Sequence, residues 1–175
     1  MRRLITLVLL FAACVCSYAQ AGIPQLDRAA GKRVSFKYEY SLSREGAGFS
    51  KVTEGNVLVE DSAYRLDGLG LVIVCNGETR WTYDPEAGEV VIESAENDNI
   101  LTNPALLISS YRAYGKSLHV KGGSQDSLDV VYDVDSDVQA RFVLSGIRYS
   151  DPQGKSDFTF DVKSLPGNSV VTDLR

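Results

Sequence analysis

This 175-residue sequence is poor in the side chains that most enzymes use for catalysis. It contains one His, His119, and three Cys. A Ser-His-Asp triad could use only that His, and zinc sites draw most of their ligands from His and Cys. His119 falls on the polar side of a predicted strand, where a solvent-exposed position is expected. We therefore expect no enzymatic activity, no metal site and no cofactor.

The charge balance is acidic, with 23 Asp and Glu against 18 Lys and Arg and a formal net charge of -5 at pH 7. No segment concentrates Lys and Arg in the way that phosphate neutralisation on DNA or RNA requires. Nucleic acid is therefore not an expected partner. A hydrophobic fraction of 44% and a charged fraction of 23% are typical of a globular domain.

The first 21 residues have the pattern of a secretory signal. Arg2 and Arg3 precede an apolar run over 4–13, and Ala19 and Ala21 supply the small residues of a cleavage site. A bilayer span needs about 20 apolar residues, roughly twice the length of this run. The sequence therefore predicts an exported protein, with a signal peptide over 1–21 and a single domain over 22–175.

A second interpretation of the same leader places a lipid anchor at Cys14. The sequence from Phe11 to Cys14, Phe-Ala-Ala-Cys, is similar to the lipobox of bacterial lipoproteins, although Leu usually stands at the position of Phe11. Acylation at Cys14 would tether the chain to a membrane, whereas cleavage after Ala21 would leave Cys75 as the one remaining cysteine. A lone thiol that follows an apolar run is expected to be buried.

Alternating apolar and polar residues predict that most of the chain forms strands. The clearest case runs from Val34 to Leu42, where every second residue is apolar. Asn76 followed by Gly77 predicts a type I′ hairpin turn. Similar patterns predict further strands at 57–59, 64–66, 69–74, 79–83, 90–92, 118–120, 128–134, 140–149 and 157–162.

Two helices are predicted beside these strands. Asn103 and Pro104 are typical of a helix start, apolar residues then recur at helical spacing, and Gly115 ends the segment. A shorter helix is predicted over 22–30. A sheet of eight or more strands tends to curl, and two short helices would fill only part of its concave face. The sequence therefore predicts an apolar cavity suited to a greasy ligand.

Several motifs occur in an order that resembles one known family. Tyr-Arg-Leu at 64–66 precedes Asn-Gly-x-x-x-Trp-x-Tyr-x-Pro at 76–85, and Asn-Pro-x-Leu-Leu follows at 103–107. The chain closes with Phe158, Phe160, Pro166, Gly167, Val170, Asp173 and Arg175. This ordered set resembles the LolA family of periplasmic lipoprotein carriers. The resemblance implies a mainly β fold with a few helices: an open, strongly curved antiparallel β half-barrel with short helices forming a lid over a hydrophobic cavity.

The resemblance also implies a function and partners. Members of the family bind the acyl chains of triacylated lipoproteins released by an inner-membrane ABC-type complex, and carry them through the periplasm to the outer membrane, where some organisms have a separate acceptor. We expect this chain to act in the same way and as a monomer. Two alternatives use the same half-barrel: an envelope sensor or adaptor, and a lipoprotein acceptor tethered to the outer membrane.

One feature of the family is missing. An arginine that joins the lid to the barrel has no counterpart here, since the matching stretch reads Glu60, Asp61, Ser62, Ala63, and Arg65 matches a different family arginine on the next strand. We therefore do not expect that arginine latch in this protein.

Strand parity and the resemblance together select the candidate site. Trp81 is expected to report acyl-chain binding through its fluorescence. The predicted lid residues are Leu106, Leu107 and Tyr111. The predicted cavity lining consists of Phe36, Tyr38, Tyr40, Tyr64, Leu66, Leu71, Ile73, Trp81, Tyr83, Ile92, Phe142, Leu144, Phe158 and Phe160.

Overall fold

The protein is described by a computed structural model that covers residues 22–95 and 99–175, so the predicted signal peptide and Cys14 lie outside the described residues. Ten strands dominate it. They are β1 (Arg33–Arg44), β2 (Ser50–Glu60), β3 (Ala63–Gly68), β4 (Leu71–Cys75), β5 (Thr79–Asp84), β6 (Glu89–Ser94), β7 (Leu118–Gly123), β8 (Ser127–Asp133), β9 (Val138–Ser150) and β10 (Val170–Asp173).

All ten strands belong to one open sheet with the order β10-β6-β5-β4-β3-β2-β1-β9-β8-β7. Neighbours are antiparallel except at one edge, where β10 pairs parallel with β6. The two ends of the sheet, β10 and β7, do not pair with each other, so the sheet is not closed. The predicted mainly β, open and curved architecture is confirmed at this level.

The helical elements are short. Among the described residues, the α-helices are α1 (Pro24–Arg28) and α2 (Leu106–Ser109), and 3-10 turns cover Tyr111–Ser117, Lys155–Phe158 and Val162–Ser164. Across residues 22–95 and 99–175, none of the helices has the length and apolar character needed to cross a bilayer.

The sheet is apolar on both faces, and different parts of the chain cover them. We call the face that carries Phe36 and Tyr38 the inner face; it packs against α1, α2 and the turns after α2. The opposite, outer face packs Val74 and Ala63 against Phe158 of the C-terminal segment. Both sides of β4 are therefore covered, and Cys75 at its end is 1% exposed, as expected for a buried thiol.

The type I′ prediction at Asn76 and Gly77 is wrong. β4 and β5 are joined by a three-residue loop in which the Asn76 side-chain oxygen accepts hydrogen bonds from the backbone N–H groups of Glu78 and Thr79, both at 2.9 Å. The two-residue turn with positive φ lies one loop earlier, at Leu69 (57°) and Gly70 (75°). Asn76 is used as a side-chain acceptor, a second common role of Asn in turns.

The helix predicted from Asn103 to Tyr114 is broken. Its α-helical part is only α2, because Ser110 leaves the helical region with φ -143° and ψ 16°. Consecutive serines at 109 and 110 favour termination, since their hydroxyl groups compete for backbone hydrogen bonds. The chain continues as 3-10 turns to Ser117, with a non-helical residue at Gly115.

The strand predicted over 157–162 is also wrong. Residues Lys155–Phe158 and Val162–Ser164 form 3-10 turns instead. The apolar alternation of Phe158 and Phe160 arises because both rings pack onto the outer face, not because the segment pairs with another strand. The edge strand β10, which follows this segment, is not predicted by the sequence pattern.

Candidate functional site

The inner face is the largest apolar surface of the described chain, and it is the candidate site. Its centre is β1, which lies between β2 and β9. Register places Phe36 opposite Val57 and Tyr40 opposite Phe142, so side chains from neighbouring strands meet on the same face. The buried members from the strands are Val34, Phe36, Tyr38, Tyr40, Val57, Val59, Tyr64, Leu66, Cys75, Leu118, Leu128, Val130, Ala140, Phe142, Leu144 and Ile147.

Two tyrosines fill the middle of this face. The rings of Tyr40 and Phe142 stack with centroids 5.0 Å apart. Tyr38 lies over two glycines of neighbouring strands: a Cβ atom on Gly55 would come within 2.8 Å of its ring, and one on Gly68 within 2.3 Å of its hydroxyl oxygen. Burial raises the pKa of both tyrosine hydroxyls, so they stay neutral at physiological pH.

Contacts from the sheet hold α1 over one end of the inner face. The Tyr149 hydroxyl of β9 donates to the Gln25 carbonyl oxygen at 2.9 Å, and the Gln25 side-chain amide donates to the Ser124 carbonyl oxygen at 2.7 Å. The Arg28 guanidinium lies 4.6 Å from the centroid of the Tyr149 ring. These contacts orient α1 so that Leu26, which is 2% exposed, packs among the buried apolar side chains of the inner face. We call this set of side chains the inner cluster.

The segment around α2 covers the neighbouring part of the same face. Leu107 is 0% exposed and Tyr111 is 6% exposed, and both belong to the inner cluster. Upstream of α2, the buried Asn103 side chain accepts a hydrogen bond from the Ala105 N–H at 3.0 Å. This hydrogen bond closes a turn upstream of the helix, and the N-cap of α2 is Ala105, without a side-chain cap. The predicted N-cap role of Asn103 is therefore wrong.

One carboxylate joins these two covering segments. Asp27 Oδ1 accepts hydrogen bonds from the Tyr111 hydroxyl at 2.5 Å and from Arg112 Nη2 at 2.6 Å. The hydrogen bond from Tyr111, followed by that from Arg112, holds the pKa of Asp27 below its usual value. Sequence inspection missed this contact, because 84 residues separate Asp27 from Tyr111 and no local pattern marks it.

Two clefts lie on either side of the covering segment. The larger, about 710 Å³, lies between α1 and residues 108–113. The second, about 300 Å³, lies between the same segment and strands β2 to β4, with Tyr64, Cys75 and Leu106 in its wall. Asp61 and Ser109 line both clefts, so the two are neighbours separated by the covering chain.

The structure divides the predicted cavity lining between two faces. Phe36, Tyr38, Tyr40, Tyr64, Leu66, Ile73, Phe142 and Leu144 lie in the inner cluster, together with the predicted lid residues Leu107 and Tyr111. Leu71 lies two residues before Ile73 on β4, so its side chain is on the same, inner face. Leu106 is half-buried in the wall of the smaller cleft.

The placement of Trp81, Tyr83, Ile92, Phe158 and Phe160 among these residues is corrected. Register pairs Val74 with Trp81 and Trp81 with Ile92, which sets all three on the outer face. Phe158 and Phe160 pack with Trp81 on this outer face, and the ring centroid of Phe160 lies 5.5 Å from that of Tyr83. For β5 and β6 the error is one of parity, since a shift of one residue reverses every side chain of a strand. Phe158 and Phe160 were misplaced because their segment is not a strand.

Other inner-face residues were missed. Leu128 and Val130 of β8 lie directly opposite Leu144 and Phe142, and the alternation within the predicted strand 128–134 could have identified them. Leu26 and Ile100 also reach the inner cluster, but they stand outside strands, where alternation gives no signal.

Two polar groups at the β8 edge of the sheet have structural roles. Asp135 accepts hydrogen bonds from the N–H groups of Asp137 and Val138, both at 2.8 Å, and so forms the turn between β8 and β9. His119 lies on the edge strand β7, with Nε2 2.7 Å from Asp133 Oδ2. Within residues 22–95 and 99–175, no group of three or more His, Cys, Asp or Glu side chains is placed to hold a metal ion.

Comparison with known proteins adds little. No family model matches the chain. No curated protein matches it either. Among solved structures, it is similar to the crystal structure of an uncharacterized conserved protein from Thermus thermophilus, with 8% identity, 86% of this chain and 95% of that chain covered, and a TM-score of 0.47. Similarity at this level carries no inference about fold or function.

Proposed function

We propose that the protein is a periplasmic carrier that shields the acyl chains of triacylated lipoproteins against its inner face between the inner and the outer membrane. The observation that carries the proposal is how this face is covered. An extended apolar sheet surface packs against helices of four and five residues and their connecting turns, not against a second sheet. Such short helices have few internal hydrogen bonds, so their displacement costs far less than the opening of a sheet.

The energetics of the cargo require such a surface. Each acyl CH₂ group exposed to water costs about 0.8 kcal/mol, so a chain of ~16 carbons costs roughly 12 kcal/mol. Aromatic and aliphatic walls offset this cost without directional contacts, and they therefore accommodate chains of different shape. Release at the destination requires that the walls hold the chains no more tightly than a membrane does.

The cover and the cargo would occupy the same space. Leu26, Leu107 and Tyr111 now take the position against the sheet that acyl chains would take. A guest that replaces them exchanges one set of apolar contacts for another, so the net cost of displacement stays small. The two clefts beside the cover, of about 710 and 300 Å³, fall near the range typical of ligand sites and give a chain end its first contact with this surface.

A release experiment tests the proposal. Spheroplasts that retain newly made triacylated lipoproteins on the inner membrane are incubated with the purified protein, and the supernatant is analysed by mass spectrometry. We expect lipoproteins to appear in soluble complexes with the protein. A supernatant without lipoproteins, although the protein is folded, would contradict carriage. A lasting complex with another envelope protein in place of lipoproteins would favour the sensor or adaptor function.

A pair of variants locates the binding surface. Leu107→Ala shortens a fully buried side chain of the covering segment. Leu58→Ala shortens a half-buried side chain on the outer face, where it packs beside Val74 and Phe158. Because the cover competes with the guest, we expect Leu107→Ala to bind a triacylated lipopeptide about tenfold more tightly than the wild type, by loss of about 1–2 kcal/mol of competing contacts. Leu58→Ala should bind like the wild type. Equal effects of the two variants would place the guest elsewhere.

A further inference from the structure

A β-bulge interrupts the pairing of β1 and β9, the two longest strands. Ser35 lies opposite Arg148 and Lys37 lies opposite Ser145, so β9 has one residue more than β1 between these two pairs. Gly146 lies within this bulge and adopts φ +61°, a conformation that glycine reaches without strain. Such an insertion re-aims the side chains that follow it.

The bulge decides on which face Arg148 lies. Ile147 is 5% exposed and belongs to the inner cluster, so its neighbour Arg148 points to the outer face. Uninterrupted alternation from Leu144, which is also an inner residue, would have placed Arg148 on the inner face. The inserted residue therefore sets Arg148 on the same face as Lys37.

The two cations share one cleft of about 460 Å³. Its other polar side chains are neutral, namely Ser35, Asn56 and Ser145, and no carboxylate lines it. Among the described residues, no ion pair joins Lys37 or Arg148 to a carboxylate. Lys37 interacts electrostatically with the Glu54 carboxylate, but that carboxylate forms its ion pair with Lys51, at 2.8 Å.

We propose that this cleft binds a phosphate group. An arginine fork, an ammonium group, two hydroxyls and an amide together supply the donors that phosphate oxygens accept, and phosphate is commonly bound by Arg and Lys. A discrete group fits better than a broad anionic membrane surface, because Glu39, Glu54 and Asp129 lie on the same outer face, paired with Lys51 and Arg141, so that the face carries no continuous positive charge. The proposal does not depend on the carrier function.

Amide NMR spectroscopy of the full domain tests the site with inorganic phosphate, against sodium chloride at equal ionic strength. We expect phosphate-specific shifts at residues 35–37 and 145–148. Arg148→Gln should weaken the affinity about tenfold through the loss of a charge-assisted contact, while Lys121→Gln, which removes an equal charge from β7, should leave it unchanged. No phosphate-specific shift, or equal losses in both variants, would overturn the proposal.

A second arm identifies the source of the phosphate. The same variants are tested for co-sedimentation with vesicles of phosphatidylglycerol and of phosphatidylcholine. Binding to phosphatidylglycerol that Arg148→Gln abolishes and Lys121→Gln keeps would support a lipid headgroup as the ligand. Phosphate shifts without vesicle binding would support a soluble phosphate compound. Vesicle binding that both variants weaken equally, without phosphate-specific shifts, would show a general charge effect and overturn the site.

Discussion

Asp27 and Arg112 form an ion pair at 2.6 Å between two segments that are 85 residues apart in the chain. Asp27 belongs to α1, and Arg112 follows α2, so the pair joins the two helical segments that cover the inner face. The same carboxylate oxygen accepts the Tyr111 hydroxyl. The contact lies at the wall of the larger cleft, where movement of either segment would break it.

Asp27→Asn should loosen the cover. The neutral amide keeps an acceptor but loses the attraction to the Arg112 guanidinium, so we expect faster amide hydrogen exchange in residues 24–28 and 106–113 and unchanged exchange in β1 and β9. Hydrogen exchange with mass spectrometry measures both. Asp126→Asn, a substitution of the same kind in an exposed turn, is the control. Faster exchange over the whole sheet would instead indicate general destabilisation.

The contribution of Asp27 should depend on pH in a defined direction. Its pKa in the folded protein is lowered from the usual 3.8 by the hydrogen bonds of Tyr111 and Arg112. The stabilisation is therefore fully present above pH 3.8 and is lost as the pH falls through the lower value of the folded state. The difference in thermal unfolding between the wild type and Asp27→Asn should be constant near neutral pH and vanish in stronger acid. A difference that grows on acidification would contradict the assignment.

Trp81 should not respond directly to an acyl chain on the inner face. Its indole packs with Phe158 and Phe160 on the outer face, with the sheet between it and the covering helices. We expect an unchanged emission maximum when a triacylated lipopeptide binds, and a red shift in Phe160→Ala, which opens the indole to water. A shift on lipopeptide binding would place the guest on the outer face.

Arg33 and Glu60 form a buried ion pair whose single substitutions should cost much stability. Their side chains are 7% and 6% exposed, and Arg33 Nη1 lies 3.5 Å from Glu60 Oε2. Glu60 also accepts hydrogen bonds from the N–H groups of Gln153 and Gly154, and Arg33 pairs with Asp157. The pair thus fastens the start of the C-terminal segment to the outer face.

Arg33→Met should lower the free energy of unfolding by about 3 kcal/mol, because it leaves Glu60 buried without its cation. The double variant Arg33→Met/Glu60→Gln removes both charges and should recover part of that loss. Urea unfolding followed by circular dichroism measures each value. A double variant whose loss equals the sum of the single losses would show that the two charges do not interact.

Strand patterns predicted the sheet well because they depend on local alternation. β1 keeps the same alternation along most of its length, and the predicted strand at 34–42 lies within Arg33–Arg44. The strand at 157–162 failed because Phe158 and Phe160 alternate in the same way while they pack as individual side chains. Alternation shows that a segment has two unlike faces, and it does not show whether a partner strand is present.

Helical and loop regions were harder to predict for a related reason. The sequence around Asn103 predicts a helix that begins two residues before α2 does, and how far the helix continues depends on how its apolar side chains pack. Leu107 and Tyr111 both reach the inner face, although the chain breaks at Ser110 between them and resumes as 3-10 turns. The helical spacing of the apolar residues therefore predicted their shared face but not the length of the helix, since short helices depend on tertiary packing.

Local pattern was enough to establish the class of domain: the repeated period of two predicted a mainly β domain, because alternation of apolar and polar residues is a local property of each segment. The face that each side chain occupies became known only from the folded arrangement of the strands. A single extra residue at Gly146 sends Arg148 outward, and the register of β5 moves Trp81 to the far side of the sheet from Phe36. Parity is set by pairing between distant strands, and no segment carries that information alone.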